Sequence, residues 1–259
     1  MERAEFIDRL SQHLHQIKRH HPLRLLISGA GAVGKTTLAS ELAGAFKALG
    51  RSVAHASIDD IYLPNRFNPQ QEKPLKVQYI EDIFDYQSLI DKALSPCGPN
   101  GHRRVHHLIP DTEHNQVRAE AYTQLPEDGV LIVEGVFLMQ PSLQHHWDFT
   151  LWLDTPSEIR MQRGIQRAQD NDVYFARHLL GHAVDNKQVA LQHIYQKVFA
   201  PAHRLFRYRY QPRQKVDCLV DHQNPEQPLI LNLNVASNQL FVELPGKDSL
   251  PLKQQEFLS

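Results

Sequence analysis

The sequence predicts an α/β fold, a parallel, doubly wound sheet flanked by helices, and three observations carry that expectation. Short, continuous apolar runs alternate along the chain with longer stretches of helical periodicity. Residues 29–36 read GAGAVGKT, a full match to the phosphate-binding loop G-x-x-x-x-G-K-S/T. That loop is preceded by the strand-like run LRLLIS (23–28) and followed by the helical pattern TLASELAGAFKAL (37–49), the setting it occupies in the P-loop NTPase fold.

The elements follow in order. Residues 1–20 form a charged, amphipathic pattern that predicts a helix and lacks the apolar core of a signal peptide. After the first strand, loop and helix, SVAHASI (52–58) reads as a second strand, and the stretch 63–77, rich in Pro, Asn and Gln, reads as irregular. A short helix is expected over 87–94, then a turn cluster at PCGPNG (96–101). VLIV (130–133), FTLWL (149–153) and 218–220 read as strands buried on both faces. The runs 229–235 and 239–244, separated by Ala-Ser-Asn, suggest a C-terminal hairpin. One large domain over 1–228 with a lid at about 155–200, followed by an extension over 229–259, is the expected organisation.

Composition narrows the function classes. A chain of 259 residues with 41% hydrophobic content supports a sizeable core. A formal net charge of -1 supplies no global field for nucleic acid or an anionic membrane surface, and no apolar run approaches a membrane span. The two cysteines, Cys97 and Cys218, lie far apart in no ligand-like spacing, so the cytoplasm is the expected compartment. Among the 16 histidines, His102, His106, His107 and His114 cluster, but without zinc-site spacing, which favours surface or substrate-pocket roles.

The loop defines a nucleotide site from Gly29 through Ala30, Gly31, Ala32, Val33, Gly34, Lys35 and Thr36 to Thr37. Its glycines let backbone N–H groups turn inward around an anion, and the following helix adds its positive dipole end. Lys35 would reach the β- and γ-phosphates and the Thr36 hydroxyl would ligate Mg²⁺. Ligands of open α/β sheets bind at the carboxyl ends of the strands, and further candidates fall there. In SIDDIY (57–62), Asp59 is the better placed of two carboxylates to accept an acceptor's proton and to touch the metal shell, with Asp60 expected to face away. Glu134 ends the run VLIV, where an acid serves Mg²⁺. A helix opening at DTPSE (154–158) carries Arg160, Arg163 and Arg167 on one face, and such arginines can clamp transferring oxygens.

These pieces resemble the uridine kinase-like branch of the phosphate-loop kinases, relatives of uridine kinase, pantothenate kinase and phosphoribulokinase. The resemblance runs from about residue 25 to 228. It rests on the loop together with SIDDIY (57–62), EDIFDY (81–86), GHRRVHHLIPD (101–111), VLIVEGVFLMQPSL (130–143), WDFTLWLD (147–154) and PRQKVDCLVDHQNPEQP (212–228). It implies an ATP- and Mg²⁺-dependent kinase of a small hydroxyl-bearing metabolite, with Asp59 as catalytic base, Glu134 serving the metal, and Arg163 and Arg167 in a lid. Tyr62 and Asp82 would contact the acceptor, and Arg104 and His106 fall where the acceptor pocket is expected. A uridine- or nucleoside-like acceptor leads; pantothenate, a sugar or glycerate are the alternatives, because Arg104-Val105-His106-His107 and Ala168-Gln169-Asp170-Asn171 replace segments usual in uridine kinases proper. A nucleotide switch or ATPase-type binding protein is the alternative from another class. A GTPase would carry an Asn-Lys-x-Asp guanine reader, and the sole Asn-Lys pair, Asn186-Lys187, continues with Gln188-Val189. The sequence leaves open ATP or GTP as donor and whether the chain forms a homo-oligomer.

Overall fold

A computed structural model describes residues 1–68, 70–170 and 187–233. Its centre is a six-stranded sheet ordered β2-β5-β1-β6-β7-β8, formed by β1 (Leu23–Gly29), β2 (Val53–Ser57), β5 (Val130–Gly135), β6 (Phe149–Asp154), β7 (Cys218–Asp221) and β8 (Leu229–Leu233). The first five strands in that order pair in parallel, as expected, and β8 joins β7 antiparallel. The antiparallel partner makes Leu229 and Leu231 half-exposed residues of an edge strand. The second arm expected for a terminal hairpin, 239–244, lies outside the described residues, as does the part of the expected lid over 171–186.

Strand periodicity of two divides the core into two layers. Leu26, Leu131, Val133 and Trp152 point to one face, where they pack with Ile80, Leu89, Leu94, Phe137 and Phe206. Leu25, Ile27, Ile132 and Leu151 point to the other, beneath helices α1 (Arg3–His15) and α2 (Lys35–Ala48). Helix α2 buries Leu38, Leu42 and Phe46, one stripe at a spacing of four. Helix α1 is shorter than the pattern over 1–20 suggests: it ends at His15, and Pro22, which lacks an N–H, stands immediately before β1. On the opposite face lie α3 (Leu75–Glu81) and α4 (Tyr86–Leu89), the latter prolonged by a π-turn over Ile90–Leu94. Helix α5 (Ser157–Asp170) precedes the undescribed stretch, and α6 (Lys187–Ile194) and α7 (Ala200–Tyr210) follow it.

A two-stranded antiparallel ribbon, β3 (Arg104–Asp111) with β4 (Gln116–Gln124), stands apart from the main sheet. Strand β3 packs on the 3₁₀ turn Ile58–Ile61 that follows β2. Register then fixes where chemistry can occur. Ser57 pairs with Glu134, Ile27 with Glu134 and Ser28 with Gly135, so three strands deliver their carboxyl ends to one level.

The opposite end of the sheet is closed by a buried ion pair. Asp148 accepts hydrogen bonds from the backbone N–H, Nε and Nη2 of Arg24 at 2.8, 3.0 and 3.1 Å. Both side chains are largely withdrawn from water. Removing one partner of such a pair strands the other charge in the interior. We expect Asp148→Ala to lower unfolding free energy by about 3–5 kcal/mol without changing the site at the other end of the sheet. Denaturant unfolding measures this, and a loss near zero would show that the pair contributes nothing net.

Candidate active site

The loop leaves β1 at Gly29, where a Cβ would lie 2.6 Å from the carbonyl oxygen of Leu153 on β6. Only a glycine permits that approach. Gly34, the residue that opens α2, has a left-handed φ of 97°, and a Cβ there would meet the His222 ring at 2.9 Å. Next along the chain, Lys35 is buried and its Nζ donates to the Ala30 carbonyl at 2.9 Å, folding the lysine back across its own loop.

Glu134 is buried at the end of the interior strand β5. Its Oε1 accepts from the Thr36 hydroxyl at 2.9 Å and from the Ser57 hydroxyl at 2.9 Å. Helix α2, β2 and β5 therefore meet at one carboxylate oxygen. The hydroxyl and carboxylate oxygens expected for a metal, those of Thr36 and Glu134, are thus adjacent, and the neighbour that completes the cluster is Ser57. An all-oxygen donor set suits a hard divalent cation such as Mg²⁺, which retains several waters and takes few protein ligands.

Asp59 and Asp60 separate in role. Ser57 caps the turn, accepting from the Asp59 N–H at 3.2 Å, while the Asp60 carboxylate accepts from the Ser57 N–H at 2.7 Å. Asp60 is thus a member of a capping box. Burial raises its pKa. Asp59 lies close enough to Tyr79 that its charge, after burial, adds to the upward shift of the Tyr79 phenol. Its neighbourhood joins two of the sequence motifs. Leu63 N–H donates to Ile83 O and Asp85 N–H to Ile61 O, and the Tyr62 and Phe84 rings lie 5.7 Å apart. Asp82 ends α3 and pairs with Lys73 at 2.6 Å, and Lys73 also reaches Glu81 at 3.0 Å. Arg104 and His106 lie on the ribbon about Tyr122, Arg104 stacked over its ring at 5.2 Å and the His106 ring 5.8 Å away.

The arginines of α5 have other occupations. Arg163 donates to the carbonyl oxygens of His222 and Gln223 at 3.3 and 2.6 Å, holding α5 to the segment after β7. Arg160 is buried, donating from Nε to the Thr155 carbonyl and from Nη1 to the Tyr195 hydroxyl. The Arg167 side chain lies outside the described residues. Both cysteines are buried, which pushes their thiols up to about 12.

Two histidines that the motifs did not single out brace the loop from opposite sides. His222, buried after β7, donates from Nδ1 to the Val33 carbonyl at 2.7 Å. With that proton fixed, its Nε2 accepts from Arg3 Nη1 at 3.1 Å. Arg3 also forms a two-point pair with Glu41 of α2 and donates to the Pro225 carbonyl. His203 of α7 accepts the Gly31 N–H at its Nε2, 3.2 Å away. Their signals in the sequence are faint: His222 falls within the quoted stretch 212–228, and His203 is one histidine on a helix.

No protein-family profile matches the chain. A uridine kinase of Clostridium botulinum (strain Kyoto / Type A2) is 27% identical over 147 residues, covering 56% of this chain and 68% of that protein. One of Bacillus mycoides (strain KBAB4) is 28% identical over 149 residues, covering 56% and 66%. The structure of a possible uridine kinase from Bacillus stearothermophilus superposes with a TM-score of 0.61 at 20% identity, over 85% of this chain and 99% of that one. The resemblance to uridine kinase-like phosphate-loop kinases is supported by sequence and by fold. No helix among the described residues is long and apolar enough to cross a membrane.

Burial lowers the pKa of both His203 and His222, so each is neutral in the folded protein. The unfolded chain binds protons that the folded chain refuses, so stability falls as pH drops below the unfolded imidazole value of about 6.5. His13 and His146, lowered by the same cause, add to that slope. We expect the unfolding temperature to fall between about pH 7.5 and 5.5, and His222→Gln to flatten the dependence. An equally steep profile in that variant would contradict a neutral His222.

Proposed function

We propose that the chain is an ATP- and Mg²⁺-dependent kinase that transfers the γ-phosphoryl group to a hydroxyl of a small metabolite, with a uridine- or nucleoside-like acceptor first among the candidates. The observation that carries the proposal is the meeting of Thr36 and Ser57 on Glu134 Oε1 beside the loop lysine. The curated relatives named uridine kinase support the reaction class and the acceptor.

In this reading the loop amides and Lys35 hold the phosphates. Lys35 exchanges the Ala30 carbonyl for phosphate oxygens when the nucleotide enters. Thr36, Asp59 and Glu134 would hold Mg²⁺, which would supply charge neutralisation for the phosphates. Asp59 orients the acceptor hydroxyl and takes its proton. Tyr62, Asp82, Arg104 and His106 line the acceptor side: the antiparallel bridge of Tyr62 with Phe84 and the packing of β3 on the 58–61 turn bring their elements together. The Lys73–Asp82 pair must loosen for Asp82 to meet an acceptor hydroxyl. Arg163 and Arg167 serve as lid residues in this proposal, and Arg163 would leave the carbonyls of His222 and Gln223 on closure.

Two substitutions test the assignment. Asp59→Asn keeps volume but cannot take a proton, and a positioned base contributes about 10²–10⁴-fold, so turnover should fall by that order with ATP affinity changed much less. Asp60→Asn retains an acceptor for the Ser57 N–H and should stay within about threefold of wild type. The reverse pattern, measured as paired turnover and ATP binding, would overturn the placement of the base. Lys35→Ala should abolish most turnover while leaving the fold intact, because it removes the charge aimed at the phosphates. Wild-type rates in that variant would refute the phosphate-loop assignment.

A further inference from the structure

The His203 contact is unusual in its donor and acceptor. Backbone amides of a phosphate loop converge on an anion, so an amide that instead meets a side-chain nitrogen is being held for a purpose other than closing secondary structure. Gly31 occupies the third position of the loop and donates to His203 Nε2 at 3.2 Å, across 172 residues of sequence. Only a neutral imidazole carrying its proton on Nδ1 can accept there. The surroundings enforce neutrality: the ring is buried, and Arg160, Lys35 and Arg207 lie near enough to disfavour a further positive charge.

The ring is also fixed from behind. Phe137 stacks against it at 4.9 Å between centroids, tilted by 31°. Phe137 has a left-handed φ of 60°, a conformation disfavoured for a bulky side chain and retained only when its surroundings over-determine it. Tyr79 and Phe206 complete that enclosure, with ring centroids 5.3 and 5.2 Å from Phe137. Because Phe137 follows Glu134 by three residues, the lip of the phosphate loop and the strand end that bears the carboxylate are linked through one stacked pair of rings.

We propose that His203 is a positioning residue for phosphoryl transfer, an imidazole that holds the outer lip of the phosphate loop through the Gly31 amide and keeps it in register with the Glu134 strand end. The inference rests on the kinase reading above. It adds that a residue of α7, outside every motif, sets the loop geometry on which in-line transfer depends. Misplacement by about 1 Å can cost on the order of 10²-fold in rate while ground-state binding survives, so the loss should fall on kcat.

The test has two arms. In ¹⁵N-labelled wild-type protein, an N–H···N hydrogen bond transmits a scalar coupling between the two nitrogens, and we expect that coupling between Gly31 N and His203 Nε2. In kinetics with MgATP and the acceptor found to be turned over, His203→Leu should lower kcat by about 10–100-fold with the ATP dissociation constant within about threefold. His203→Gln, which offers an amide oxygen near the Nε2 position, should recover to within about fivefold of wild type. Unfolding temperatures of both variants identify a folding defect, and the coupling in wild type stands whether or not the leucine variant folds. The proposal is overturned by an absent coupling in a competent kinase, by unchanged kcat in the leucine variant, by a loss confined to ATP affinity, or by equal impairment of both variants. A wild-type protein that shows the coupling but phosphorylates no acceptor would instead remove the kinase reading, and the positioning role with it.

Discussion

One carboxylate oxygen organises the candidate site. Glu134 Oε1 receives the hydroxyls of Thr36 and Ser57, and those three residues come from the first turn of α2, the end of β5 and the end of β2. A buried carboxylate is costly unless hydrogen-bonded, so the two hydroxyls are a condition of placing the acid there. The condition can be met only because β5 lies between β1 and β2 with Glu134 level with Ile27 and Ser57. The same alignment brings the loop and the 58–61 turn to one edge of the sheet, which is the crevice where open α/β sheets take ligands.

The loop is held less by its own residues than by distant ones. From behind, α1 and the segment after β7 reach it through Arg3 and His222, which ends on the Val33 carbonyl. From the front, α7 reaches it through His203. A glycine-rich loop has high conformational freedom, and these contacts offset it by pairing the Gly31 N–H and the Val33 carbonyl. Both histidines act as neutral hydrogen-bonding groups, a role for which burial is suited because it disfavours the imidazolium.

Much of this was legible in the chain. The parallel strands are continuous apolar runs because both faces of each are covered, and the phosphate loop has a fixed grammar of glycines, lysine and hydroxyl. The β3–β4 ribbon has no clear signal as a pair of strands: β4 is exposed along nearly its whole length, so it carries no apolar alternation, and β3 is broken by a bulge after His106. Ser57 stood inside a recognised motif, but its approach to Glu134 depends on strand register, which no local pattern records. His203 and His222 find partners 172 and 189 residues away, and an isolated histidine on a helix or after a strand announces nothing about a distant amide or carbonyl. The spacing of Arg160, Arg163 and Arg167 suggested one helix face turned to phosphate oxygens. It could not tell that Arg160 and Arg163 would spend their donors on backbone carbonyls and a tyrosine hydroxyl.

The central claim is that the site moves a phosphoryl group to a hydroxyl instead of to water, and ³¹P NMR of the protein incubated with MgATP and a panel of nucleosides, pantothenate, sugars and glycerate tests it most directly. The account predicts that ADP appears together with a new phosphomonoester resonance for one acceptor class, uridine-like compounds first, and that little orthophosphate accumulates. Orthophosphate released at the same rate with every acceptor, and no phosphomonoester with any, would contradict it and identify the chain as a nucleotide hydrolase or switch.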